Sequence, residues 1–173
     1  VGDNSGGSIE GCHANATVTV TSAGDYVGGL AGRSIGFITS SYSTGAVTGG
    51  SHVGGLVGAS FSNAGSGGIS EGISASYSSG AVEGEMYVGG LAGSNETPIS
   101  ESFATGSVAG TENGTENTYA GGLVGHNTGL ISDSYAWGDV SGQDMIGGLV
   151  GYNEADVTNC YEIGAVTGEN YTG

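Results

Sequence analysis

The chain has 173 residues, 39 of them glycine, and its only lysine or arginine is Arg33, set with three histidines against 17 acidic residues for a net charge of -16. Binding of nucleic acid and docking to an anionic membrane both need clustered Lys and Arg, so the composition argues against both partners, and no stretch approaches a membrane-spanning length. The glycines recur in register with Leu, Ile and Val, which points to one ordered repetitive domain spanning 1–173 rather than to low-complexity coil. The acidity fits the solubility of a secreted or surface protein, and no calcium loop of alternating aspartates is present.

Read from the amino terminus, two blocks alternate. Gly-Gly-Leu-Ala/Val-Gly stands at 28–32, 54–58, 89–93, 121–125 and 147–151. The second block opens on an apolar anchor at Ile9, Ile38, Ile73, Ile99, Ile131 and Val157, in steps of 29, 35, 26, 32 and 26 residues. The basic period is therefore 26, and the longer steps carry insertions near 61–71 and 111–118, with a short one at 21–24. Four residues past the anchor come His13, Tyr42, Tyr77, Phe103, Tyr135 and Tyr161; nine past it, Val18, Val47, Val82, Val108, Val140 and Val166 form an unbroken column.

Short apolar pieces with β-branched and aromatic residues, punctuated by Gly and Asn, predict short strands and tight turns, and no helical period is present. Fixed columns at a fixed period predict an all-β fold, a parallel β-solenoid (β-helix) of about six coils, one repeat per coil, with like residues about 4.8 Å apart. An antiparallel sandwich is the alternative, though it gives no reason for identical columns. Asn4, Asn95, Asn127 and Asn153 share one column, expected to be a corner where Asn takes the left-handed region. Period-two alternation puts the columns three, five, seven and nine past the anchor inside, with Glu162 in the last repeat as the exception. The aromatic column then faces outward, unless a corner resets the register and buries the rings. In the Gly-Gly-Leu block parity gives no answer, because the Leu30 and Ala31 columns are both apolar.

The segment 121–142 reads GGLVGHNTGLISDSYAWGDVSG. It resembles the GLUG repeat, whose pattern is Gly-Gly-Leu-Val-Gly-x-Asn-x-Gly-x-Ile-x-x-Ser-Tyr-Ala-Thr-Gly-x-Val-x-Gly, and departs chiefly where Trp137 replaces Thr. The resemblance extends over nearly the whole chain. It implies a β-helical stalk or adhesion segment of a large secreted or surface protein of the adhesin-like, filamentous haemagglutinin-like kind, and it supplies no catalytic residue.

The residues themselves point away from an enzyme, with no cofactor. Lyase chemistry on acidic sugars wants Lys or Arg beside carboxylates, and only Arg33 is present. Glu101 and Asp133 share a column on consecutive repeats and could serve as a glycosidase pair, with two solvated surface carboxylates as the plainer reading. His13, His52 and His126 show no zinc spacing, so no metal site is expected. Tyr42, Tyr77, Phe103, Tyr135 and Tyr161 form a candidate aromatic ladder, offering either sugar-stacking platforms for a glycan partner or ring-on-ring packing between coils. Cys12 and Cys160 occupy one column in the first and last repeats, too far apart to pair within one solenoid but within bridging range if the end of one copy stacks on the start of the next. The expected partners are therefore copies of the chain joined head to tail, or the flanking repeats of a longer chain. No signal peptide is visible, so an exported protein would be represented here by a mature chain or an excised piece. Sequons at Asn15, Asn95, Asn113 and Asn170 are candidate glycosylation sites compatible with an extracellular, cell-surface setting.

Overall fold

Two- to four-residue apolar pieces between glycines cannot build long elements. The computed structural model describes residues 1–21, 24–63, 71–111 and 118–173, and among these it contains 29 short strands and no helix. Each strand pairs in parallel with its equivalents one repeat away, in the register of the sequence columns.

The strands form five faces around one axis. Face I holds Asp3–Asn4, Ala31–Ser34, Val57–Ser60, Ala92–Asn95, Val124–Asn127 and Val150–Asn153. Face II holds Ser8–Glu10, Phe37–Thr39, Gly72–Ser74, Ile99–Ser100, Ile131–Ser132 and Val157–Thr158. Face III holds His13–Ala14, Tyr42–Ser43, Tyr77–Ser78, Phe103–Ala104, Tyr135–Ala136 and Tyr161–Glu162. Face IV holds Val18–Thr19, Val47–Thr48, Val82–Gly84, Val108–Gly110, Val140–Ser141 and Val166–Thr167. Face V has five strands, Tyr26–Gly28, His52–Gly54, Tyr87–Gly89, Tyr119–Gly121 and Met145–Gly147. The fold is the expected parallel β-solenoid, with five complete coils preceded by a four-strand partial one. The insertions expected near 61–71, 111–118 and 21–24 fall largely outside the described residues.

The interior is two files of stacked side chains. Ile38, Ile73, Ile99 and Ile131 pile against Leu56, Leu91 and Leu123, all at most 1% exposed. Val47, Val82, Val108 and Val140 pack against Val53, Val88, Ala120 and Ile146 of face V. Columns hold one residue type because each side chain's nearest neighbours are its own equivalents above and below, which rewards identical shapes.

The corner between faces II and III is where the backbone leaves ordinary space. Ser40, Ala75, Glu101, Asp133 and Asn159 have φ between 47° and 54°, and Gly11 takes the first position of that column. The next residue steadies each turn: Ser41, Ser76, Ser102 and Ser134 donate their hydroxyls to the carbonyl two residues back, at 2.7–2.8 Å. Ser76, Ser102 and Ser134 also accept, through Oγ, the N–H of the serine in the preceding coil at 3.1–3.2 Å, and Ser41 accepts that of Cys12 at 3.0 Å. The left-handed corner is thus two residues past the anchor.

The asparagine column does other work than expected. Asn95 and Asn127 are at most 1% exposed. Asn95 Nδ2 donates to Asn127 Oδ1 at 2.9 Å, and Asn127 Nδ2 to Asn153 Oδ1 at 2.8 Å. Each amide also donates to the carbonyl two residues on. These residues form an amide ladder, buried at Asn95 and Asn127 and exposed at Asn153, that satisfies the corner between faces I and II, and their φ values are not left-handed. The column is completed by Ser34, which accepts from Asn4 at 3.1 Å, and Ser60, which pairs with Thr97 at 2.7 Å.

The corner between faces V and I is built by glycine for lack of space. A Cβ on Gly58, Gly93 or Gly125 would lie 2.5 Å from the backbone nitrogen of Val27, Val53 or Val88, each in face V of the preceding coil. Faces V and I therefore meet backbone to backbone, and the surface is re-entrant along this line. That contact explains why Leu30 and Ala31 types are both buried.

Candidate functional site

Two aromatic arrays run along the outside of the solenoid. The first is the expected column on face III. Its rings stack nearly parallel: Tyr42–Tyr77, Tyr77–Phe103 and Phe103–Tyr135 are 4.8 Å apart between centroids, at 4°, 1° and 3°. Tyr135–Tyr161 at 5.1 Å and His13–Tyr42 at 5.3 Å extend it to both ends. Ser41, Ser43, Gly45 and Val47 point inward and are buried, so alternation decides the outward placement. Each interior ring has both faces covered by its neighbours and presents only its edge to solvent. The column therefore offers a sugar ring no free π-face between its two ends.

The remaining candidates fall where their columns put them. Cys12 and Cys160 are free thiols in the serine column, five coils apart, each close to the carbonyl two residues back at 3.3 and 3.1 Å. Glu101 and Asp133 sit exposed on neighbouring rungs of the left-handed corner, where Asp133 Oδ1 accepts from Asn159 Nδ2 at 3.1 Å. Asn15 and Asn170 are exposed, and Asn113 lies outside the described residues. Asn95 is corrected as a glycan acceptor: its amide nitrogen is buried and donates twice within the core, leaving no room for a sugar in the folded chain.

The second array lies in the re-entrant groove between faces V and I, and the sequence columns did not single it out. From face V come Tyr26, His52, Tyr87 and Tyr119; from face I come His126 and Tyr152, with Phe61 just beyond. Here the rings tilt. Tyr26–His52 and His52–Tyr87 meet at 4.8 Å with angles of 40° and 46°, while Tyr26–Phe61 and Tyr119–Tyr152 are edge-on. Tyr87 touches His126 across the groove at 5.3 Å. Between the walls is a cleft of about 130 Å³ lined by His52, Phe61, Tyr87, Glu96, His126 and Thr128, with Ser94 and Asn95 at its floor.

Electrostatics in the groove follow from burial. Burial pulls the His52 imidazole below its ordinary value of 6.5, and nearby His126 adds to that. The Asp25 carbonyl, 3.1 Å from Nδ1, and the Asp25 carboxylate pull the other way and lose. His126 Nε2 lies 3.2 Å from Glu154 Oε1 at the exposed rim. Among the described residues no three His, Cys, Asp or Glu side chains gather in one place. The signal for this array was in the sequence, two residues before each Gly-Gly-Leu block. Its mixture of Tyr, His and Met145 hid it.

Comparison with known families fits the coil as the unit. Residues 116–141 and 142–167 match the family model described as the GLUG motif. Two coils carry the GLUG motif. The first match ends with the face IV strand Val140–Ser141 and the second with Val166–Thr167, so each GLUG unit is one turn of the solenoid starting just ahead of face V. No curated protein and no solved structure matches the chain. The GLUG match and the β-solenoid together fit a structural protein of the repeat type.

Proposed function

We infer that this chain is a non-enzymatic structural or adhesive element of an extracellular or cell-surface protein, a rigid GLUG solenoid that continues end to end through copies of itself or through flanking repeats. One observation carries the reading: the face III ladder spends its ring faces on one another along the whole stack. A surface built for recognition keeps such faces open; one built for stiffness closes them. This favours a structural role for the ladder over sugar stacking.

In the last coil Val157 and Tyr161 are 36% and 53% exposed, in columns that are buried or half-buried one coil earlier. A further coil, from either source, would cover them by extending the five sheets. Cys160 of one copy would then stand over Cys12 of the next.

Electron microscopy with sedimentation velocity tests the reading. Rods that lengthen with concentration, with a ladder on non-reducing gels that collapses in reductant, are the expected result. Compact monomer at every concentration removes self-association. Turnover of a glycan abolished by Glu101→Gln or Asp133→Asn removes the non-enzymatic reading altogether.

A further inference from the structure

The groove between faces V and I already holds one cation. The Arg33 guanidinium carbon lies 5.5 Å from the centroid of the Phe61 ring, while its Nη1 donates to Asp3 Oδ2 at 2.8 Å. An aromatic face and a carboxylate together replace what the charge loses in hydration. The chain has no other Lys or Arg.

The neighbouring cleft also brings aromatic rings and a carboxylate together, with Tyr87 stacked on Tyr119 at 5.2 Å and on His126 at 5.3 Å. The Phe61 ring also lines it, together with Tyr87 on the opposite wall and the Glu96 carboxylate, and no cationic side chain of the protein enters it. Of its two imidazoles, His52 is held toward its neutral form by burial, and His126 Nε2 is turned to Glu154 Oε1 at 3.2 Å. Size narrows the ligand. Pockets for drug-sized molecules run to roughly 300–1,000 Å³, whereas this cleft of about 130 Å³ takes a single small headgroup. A neutral apolar group of that size would fit the rings but make no use of the Glu96 carboxylate, whose Oε2 accepts the Ser62 N–H at 3.4 Å. An anion would meet Glu96 and a chain of net charge -16.

We propose that the cleft between Phe61, Tyr87, Glu96 and His126 is a binding site for an alkylammonium headgroup, held by the aromatic walls and the Glu96 carboxylate. The site does not depend on the structural role inferred above, since it lies on the flank of the stack and away from its ends.

Calorimetric titration of the intact chain with choline, beside its uncharged isostere 3,3-dimethylbutan-1-ol, tests the assignment. Choline is expected to saturate at one equivalent, and the alcohol to bind at least about tenfold more weakly, the order of a desolvated cation–π contact. Tyr87→Leu and Glu96→Gln should each weaken choline about 3- to 30-fold. Glu96 is exposed, so Glu96→Gln should leave the thermal midpoint unchanged and report on the site even if Tyr87→Leu unfolds the groove. Equal binding of choline and the alcohol would overturn the proposal. So would unsaturable choline uptake that salt removes alike from wild type and both variants, because that is attraction to an acidic surface.

Discussion

Truncating rings of the face III ladder one and two at a time measures whether the coils stack as described. Tyr77 touches Tyr42 and Phe103, both at 4.8 Å and within 4° of parallel. Tyr161 touches Tyr135 alone, at 5.1 Å. Aromatic pairs contribute about 0.5–1.5 kcal/mol each beyond burial. Tyr77→Ala should therefore cost roughly 1–3 kcal/mol in ring contacts alone, and Tyr161→Ala about half as much. The decisive quantity is the coupling between substitutions. Tyr77→Ala combined with Phe103→Ala removes a shared contact, so the double variant should fall short of the sum by about 0.5–1.5 kcal/mol. Tyr77→Ala with Tyr135→Ala spans two rungs with Phe103 intact between them, and should add to within about 0.5 kcal/mol. Urea denaturation followed by far-ultraviolet circular dichroism supplies all the free energies, with coincident tyrosine fluorescence checking cooperativity. Equal couplings for the two pairs, or none for Tyr77 and Phe103, would refute a ladder of successive rings.

Three further outcomes follow from other columns. The hydroxyls of Ser43 and Ser78 are buried without a hydrogen-bond partner, in a column that holds Ala104 and Ala136 in later coils; Ser43→Ala should stabilise the chain by about 1 kcal/mol, read as a raised urea midpoint. His52 has a folded pKa below its unfolded value of 6.5, so the unfolded chain binds the extra proton first; stability is full above that value and should decline as pH falls through the window beneath it, and His52→Phe should remove that decline in melts taken between pH 7 and 5. Glu162 occupies the inward Ala136 column at the open face of the last coil, where a further coil would bury its carboxylate without a cation; Glu162→Ala should strengthen end-to-end association several-fold in sedimentation, and an unchanged association constant would place that junction elsewhere.

Much of the architecture could be read from residues that repeat with little variation. The valines at 47, 82, 108 and 140 and the isoleucines at 38, 73, 99 and 131 gave strand, parallel register and inward face, because a side chain packed between its own equivalents tolerates little change of shape. What stayed hidden sits where the physical demand falls on the backbone. The left-handed corner holds Ser40, Ala75, Glu101, Asp133 and Asn159, and of these only Asp133 and Asn159 have side chains that favour such φ values. The turn is enforced by the serine that follows, whose hydroxyl reaches back across it. Asparagine at 95 and 127 suggested a positive φ, yet its value here is a side-chain amide that can donate and accept along a buried column. The groove was missed for a related reason. Its walls come from two blocks separated by the Gly-Gly-Leu corner, and only the glycine contacts at 58, 93 and 125 bring His52 and Tyr87 beside His126.

Cysteine cross-linking on face III tests the stacking most directly. Ser79 and Thr105 are exposed and follow the paired residues Ser78 and Ala104, while Trp137 follows Ala136 one rung further on. With Cys12 and Cys160 replaced by serine, cysteines at 79 and 105 should oxidise readily to an intramolecular disulfide, since adjacent parallel strands lie about 4.8 Å apart. Cysteines at 79 and 137, about 10 Å apart, should stay reduced under the same conditions. Bridging of the 79–137 pair, or none of the 79–105 pair, would contradict a chain wound as parallel coils on one axis.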